Sequence, residues 1–182
     1  IYKAHGILLK RQNIGEADRI VTLYTREHGK IRVIAKGIRR IHSRRGPHLE
    51  VYRLVSTTIY KGKSMDSITE VQSKVILSID RTSAQKMSFG YYICELVDRL
   101  LPERQEHADV FRLMQETFTS LDESNDVQMW ERDIFSFALE LLWILGYLPR
   151  TTTLREEHIQ HYIEGIIERK LRTPKLLHQL GS

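Results

Sequence analysis

ADRIVTLYTR, EHGK and IRVIAK, which run without a break from residue 17 to residue 36, decide how the first half of the chain folds. Ala17 to Arg26 is rich in Ile, Val, Thr, Leu and Tyr, and Glu27-His28-Gly29-Lys30 has the composition of a turn. After it Ile31, Val33 and Ala35 alternate with Arg32, Ile34 and Lys36. β-Branched and aromatic side chains suit a pleated surface, and a period of two sends alternate side chains to opposite faces. The stretch therefore predicts a hairpin whose second strand has one apolar and one partly cationic face. Working outward, Ala4 to Lys10 reads as a strand before Gly15, Leu49 to Tyr60 as a long strand, and Met65 to about Val75 as another after Gly62. Five strands with no helical period between them fit a small closed barrel better than an open sheet, and the five-stranded OB-fold is the nucleic-acid-binding version.

Past Asp80 the period becomes helical. Ile93, Leu96, Val97, Leu100 and Leu101 line one helix face before Pro102, and Val110, Phe111, Met114, Phe118 and Leu121 line a second. Val127 to Leu145 is apolar nearly all round, with Trp130, Ile134, Phe137, Ala138, Leu141 and Leu142, and stops at Gly146 and Pro149. Thr153 and Glu156 have capping-box spacing ahead of a fourth helix carrying Ile159, Tyr162, Ile163, Ile166 and Ile167. The expected fold is α+β: an OB-fold barrel over residues 1–80 and an all-helical bundle over residues 81–182.

Charge divides at the same point. Residues 1–80 hold 16 Lys and Arg against 7 Asp and Glu, a net of +9, and residues 81–182 hold 12 against 16, a net of −4. A basic half beside a mildly acidic one points to a polyanionic partner for the first. The longest apolar run, around Leu141 to Leu145, falls far short of the roughly 20 residues that cross a bilayer, so no membrane role is expected. No basic start followed by an apolar stretch and a small-residue cleavage site is present, so secretion is not expected, and the single Cys94 supplies neither an internal disulfide nor a four-thiolate zinc site. A cytoplasmic protein without a cofactor is the expectation.

The chief candidate site is the run Lys36-Gly37-Ile38-Arg39-Arg40-Ile41-His42-Ser43-Arg44-Arg45-Gly46-Pro47. Its cations Lys36, Arg39, Arg40, Arg44 and Arg45 sit at a strand end and in a Gly/Ser/Pro-bounded loop, where they can splay towards phosphates, and Arg bridges phosphate oxygens bidentately. Arg11, Arg19, Lys30 and Arg32 are candidates to assist them. Tyr24, Tyr52 and Tyr60 are candidate base-stacking residues, although a strand tyrosine is also commonly a packing residue with a wet hydroxyl. Gly62-Lys63-Ser64 imitates the end of a phosphate-binding loop, but the Gly needed five residues earlier is Thr57, and a strand follows; it reads as a hairpin turn. His158 and His161 have a spacing that permits a shared metal but fall on the polar side of their helix without an assured third ligand. No spaced carboxylate, nucleophile or base motif marks an enzyme. Two alternatives stand beside a DNA-binding protein: an RNA-binding OB-fold protein, because phosphates alone do not distinguish the sugars, and a metal-dependent nuclease built on the histidine pair.

Several of these stretches resemble a known family. LLKR (8–11), GEADRIVTLYT (15–25), EHGK (27–30), AKGIRR (35–40) with Ser43, YICELVDRLL (92–101), Phe111-Arg112-Leu113 and LGYLP (145–149) are similar, in order, to the RecO family of bacterial recombination mediators. The resemblance implies an amino-terminal OB-fold that binds single- and double-stranded DNA and a carboxy-terminal helical domain. It further implies ATP-independent annealing of complementary strands, and replacement of single-strand-binding protein by recombinase. The implied partners are RecR on the barrel and the acidic tail of single-strand-binding protein on the helical domain. Arg99, Arg104 and Arg112 are the candidates for a basic rim receiving that tail, beside Trp143 or Tyr147 if either stays exposed. In one respect the chain departs from the family: where many members carry a four-cysteine zinc module after Gly-Tyr-x-Pro, Arg150-Thr151-Thr152-Thr153-Leu154 leads directly to the last helix.

Overall fold

The computed structural model describes residues 1–78, 84–168 and Leu171. Its first five elements are β1 (Tyr2–Ile14), β2 (Asp18–Thr25), β3 (Gly29–Ala35), β4 (Arg53–Tyr60) and β5 (Ser67–Val75). They close into a barrel in the order β1-β2-β3-β5-β4, with β1 also paired to β4. Every pairing is antiparallel except β3 with β5, where Ile34 faces Ser67 and the Ile34 N–H donates to the Asp66 carbonyl at 2.9 Å. This is the five-stranded OB arrangement that the strand count predicts. The hairpin of β2 and β3 follows the alternation read from its sequence: Ile31, Val33 and Ala35 enter the core, joined by Leu8, Val55, Ile59 and Ile68, and Arg32 and Lys36 stay exposed.

Two strands differ from their sequence reading for local reasons. β1 continues through Ile14, and its register slips between Leu8 and Lys10, so Ile7, Leu8 and Leu9 are all buried. A bulge adds one residue and breaks the period of two that the eye looks for. β4 begins at Arg53 instead of Leu49. Leu49 is buried after a short 3-10 turn at Gly46–His48, and Tyr52 takes φ 60°, which a strand cannot accommodate.

The chain forms two compact units, Ile1–Ile76 with Leu101–His107, and Leu77–Leu100 with the chain from Ala108 onward. Leu101–His107 lies as a strap on the barrel. Lys30 bridges to Glu103, the Arg104 N–H donates to the Lys30 carbonyl at 2.9 Å, and the Tyr24 hydroxyl donates to the His107 carbonyl at 3.2 Å. Gly29, at φ 61°, makes the crossing possible, because a Cβ there would stand 2.1 Å from the Gln105 carbonyl oxygen. The Asp66 carboxylate, one-tenth exposed, accepts hydrogen bonds from the Tyr2 hydroxyl (2.7 Å), the Gly62 N–H (3.2 Å) and the strap's Arg104 guanidinium (3.3 Å). Burial alone would raise its pKa, but these donors outweigh it and hold the carboxyl below its ordinary value. Burial and the same carboxylate push the Tyr2 hydroxyl up to about 12.

The second unit contains α1 (Ala84–Leu100), α2 (Ala108–Glu123), α3 (Val127–Ile144) and α4 (Glu156–Ile167). α3 packs on the other three, with Phe137, Leu141 and Leu142 fully buried. Asp126 caps α3 by accepting from the Gln128 N–H at 2.9 Å, an interaction typically worth about 1 kcal/mol. The capping box expected at Thr153 does not form. The residue before α4 is Arg155, with no side-chain cap, and Glu156 is the first helical residue instead of the third. A turn closed by the Thr152 N–H on the Pro149 carbonyl, and the Trp143 indole donating to the Thr152 carbonyl at 3.2 Å, hold the chain just before Thr153. Glu156 and Glu157 in the first turn supply the negative charge that suits a helix start. Among the described residues no helix is long and apolar enough to cross a membrane.

Candidate nucleic-acid interface

The cationic run leaves β3 at Ala35 and arches over the barrel's side before the turn at Gly46. It is pinned at both feet. On one side Ile38 is buried in the barrel core, the Gly37 N–H donates to the Asp18 carboxylate at 2.7 Å, and the Arg39 N–H donates to the Ala17 carbonyl at 2.9 Å. On the other, the Arg45 guanidinium donates to the carbonyls of Ile68 (2.9 Å) and Lys36 (2.8 Å), tying the end of the arch to β5 and to its own beginning. Between the feet two tight turns follow each other, Arg40 N–H to the Gly37 carbonyl at 3.3 Å and Ser43 N–H to the Arg40 carbonyl at 2.9 Å. Lys36, Arg40, His42, Ser43, Arg44 and Arg45 line an open basin of about 800 Å³ together with Gly37 and the Asp18 carboxylate that its N–H engages. With so many donors facing one concavity, the arrangement can take the oxygens of a phosphodiester backbone.

The predicted cations do not all serve that surface. Lys36, Arg39, Arg40 and Arg44 are exposed on the arch, although one Arg39 nitrogen also donates to the Gly15 carbonyl at 3.1 Å. Arg45 faces the basin but commits two nitrogens to carbonyls. Arg32 is exposed on β3. Arg19 is a correction: its guanidinium donates to the Leu49 carbonyl (3.3 Å), Glu50 (3.2 Å) and Asn13 (3.1 Å), so it holds the segment after the 3-10 turn. Arg11 pairs with the same Glu50. Lys30 is a second correction, being buried beneath the strap that pairs with it.

Of the three candidate stacking tyrosines, Tyr60 alone is exposed, at 54%. Tyr24 and Tyr52 are fully buried, so neither offers a face to a base; burial also raises the Tyr24 hydroxyl's pKa above its ordinary value. The strap explains Tyr24: a strand side chain that points away from a barrel core is normally wet, but here its hydroxyl end meets His107. Two further residues of the site escape a reading of the sequence alone. Asp18 anchors the arch and has no distinguishing signal beyond an acid near a turn. Ile41, at 97% exposure, carries a visible one: an aliphatic residue between Arg40 and His42 in a polar loop.

The remaining candidates resolve plainly. Gly62-Lys63-Ser64 is the β4–β5 turn, closed by the Gly62 N–H on Asp66. His158 and His161 are exposed on α4, and among the described residues no three His, Cys, Asp or Glu side chains converge as a metal site. Cys94 is buried in α1, its thiol pushed up by burial. The three arginines expected to form one rim are not brought together within either unit: Arg104 belongs to the barrel's strap and pairs with Asp66, and Arg112 lies between Asp109 and Glu116 on α2. Arg99 is half-buried near the end of α1. Trp143 is half-buried and Tyr147 is 41% exposed.

Comparison with known proteins leads both units to one family. Residues 1–75 match the model for the amino-terminal domain of recombination protein O, and residues 81–153 match the model for its carboxy-terminal domain. A DNA repair protein RecO of Symbiobacterium thermophilum is 33% identical over 156 residues, covering 82% of this chain and 58% of its own length. One of Bifidobacterium adolescentis is 34% identical over 152 residues, covering 82% of this chain and 61% of its own. The chain thus spans about three-fifths of the length of these curated relatives. With both domain models matched in order and the barrel and helices lying where they fall, the chain belongs to the RecO family.

Proposed function

We propose that this chain is a DNA-binding recombination mediator of the DNA-repair machinery, working in the cytoplasm at the nucleoid. In this reading it anneals complementary single strands and assists the exchange of single-strand-binding protein for recombinase. The observation that carries the reading is the arch, where Lys36, Arg40 and Arg44 stand exposed around one basin with both feet fixed to the barrel. The unit bearing it, Ile1–Ile76 with Leu101–His107, holds 17 Lys and Arg against 8 Asp and Glu. A preformed cationic concavity loses little entropy when it orders its donors around a ligand, and phosphate contacts of this kind carry no base preference. The helical unit is the complement in this scheme, a surface for protein. RecR on the barrel and the acidic tail of single-strand-binding protein on the helices are the partners the family suggests, with Arg99 and the exposed Tyr147 as the local features that suit an acidic, apolar segment.

The test is a salt series on the full chain. Removing one phosphate-binding cation should flatten the dependence of log affinity on log salt by about 0.7 for single strands. Arg40→Ala/Arg44→Ala is expected to bind a single-stranded oligonucleotide more weakly at low salt, with a slope smaller by about 1.4. Unchanged affinity and slope would remove the arch from DNA binding.

A further inference from the structure

Ile41 lies near the middle of the arch. It is 97% exposed, more than any other large apolar residue among those described, including Ile1 at the chain start. Single exposed apolar residues are ordinary on protein surfaces, and what distinguishes Ile41 is nearly complete exposure between arginines in the chain. Ile41 stands at a central position of the Arg40–Ser43 turn, with Arg39 and Arg40 before it and His42 and Arg44 after it. That turn follows directly on the Gly37–Arg40 turn, and the feet of the arch are fixed by Ile38, Asp18 and the two carbonyl bonds of Arg45. The isoleucine is therefore presented on a braced turn and not on a loose end.

If the arch holds DNA, an exposed aliphatic side chain flanked in the chain by Arg39, Arg40 and Arg44 can leave water by entering the space between neighbouring bases. The cations draw the backbone to the turn, and the apolar group leaves water by entering the stack. We propose that Ile41 is a wedge that inserts between successive bases of single-stranded DNA held by the arch. Inserting into a duplex must unstack a paired step, which costs a few kcal/mol, whereas a single strand already samples open steps. On this proposal Ile41 adds a bias towards single strands that phosphate contacts alone do not carry. This inference rests on the DNA-binding reading of the arch and deepens it.

The experiment uses the full chain and a single-stranded oligonucleotide carrying 2-aminopurine, whose fluorescence rises on unstacking. Ile41→Ala should lower single-strand affinity about fivefold to tenfold, the share of an isoleucine's burial that alanine cannot recover. It should also abolish the fluorescence rise, leave the salt slope unchanged because the charge stays the same, and narrow the ratio of single-strand to duplex affinity. Ile41→Leu should restore most of the signal. Because the side chain touches almost nothing in the free protein, the melting temperature should not move. If Arg40→Ala/Arg44→Ala weakens binding but Ile41→Ala keeps wild-type affinity and fluorescence, the wedge is wrong and the arch only holds phosphates. If neither variant changes binding, the reading of the arch falls and the wedge falls with it.

Discussion

Arg44 and Arg45 are adjacent in the sequence and have different work. Counting cations in Lys36 to Arg45 marks a candidate surface, but composition cannot say which guanidinium faces solvent and which satisfies the backbone. Arg45 supplies hydrogen bonds to the carbonyls of Ile68 and Lys36, and Arg19 does the same for the Leu49 carbonyl. Those bonds depend on the path of the chain after β3, which no local pattern encodes. Tyr24 is hidden for a related reason: a period of two predicts which face of a strand points away from the core but not whether something later in the chain covers it. Arg45→Ala should therefore be mainly a stability variant. Without its two charge-assisted bonds to carbonyls the protein should be less stable by about 1–3 kcal/mol in urea unfolding. Arg44→Ala, with its side chain exposed, should stay within about 0.5 kcal/mol of wild type. Equal stability of the two variants would mean that the arch is not pinned at its second foot.

Among the elements, the hairpin of β2 and β3 is the easiest to read and the strap the hardest. Strict alternation in Ile31 to Lys36 leaves one answer, since a one-residue slip would bury Arg32. Leu101–His107, by contrast, is LPERQEH, with no period, one large apolar side chain and three charges. Read locally it is the end of a helix and a linker, and only Pro102 carries a structural signal. Its return to the barrel is written elsewhere, in Gly29, whose missing side chain leaves room for Gln105. Gly15 is the natural control, since it has a similar φ of 54° but nothing within 4 Å of where a Cβ would stand. Gly15→Ala should cost only the left-handed conformational penalty, about 1 kcal/mol. Gly29→Ala carries that penalty and must also move a backbone segment, so it should be clearly more destabilising. It should also expose the Arg104 N–H, now bonded to Lys30, to faster hydrogen exchange. Similar costs for the two substitutions, with Arg104 still protected, would contradict the strap.

At the scale of the whole molecule, the charge asymmetry visible in the sequence supports the proposed annealing role on electrostatic grounds. Annealing two single strands requires that their mutual phosphate repulsion be screened and that complementary segments meet often. A surface with a large excess of cations over acids does both by raising local concentration, with no conformational cycle to drive. The turn at Gly62-Lys63-Ser64 joins two strands and so lacks the helix start that a phosphate-binding loop uses to hold a nucleotide. The full chain should therefore anneal complementary oligonucleotides at the same rate with and without ATP. That rate should fall with rising salt in parallel with single-strand affinity, because both draw on the same released counterions. Arg40→Ala/Arg44→Ala should slow annealing by the factor it removes from binding at that salt concentration. A nucleotide requirement, or an annealing rate that ignores both salt and the removal of the two arginines, would place the driving step somewhere other than the barrel's cationic arch.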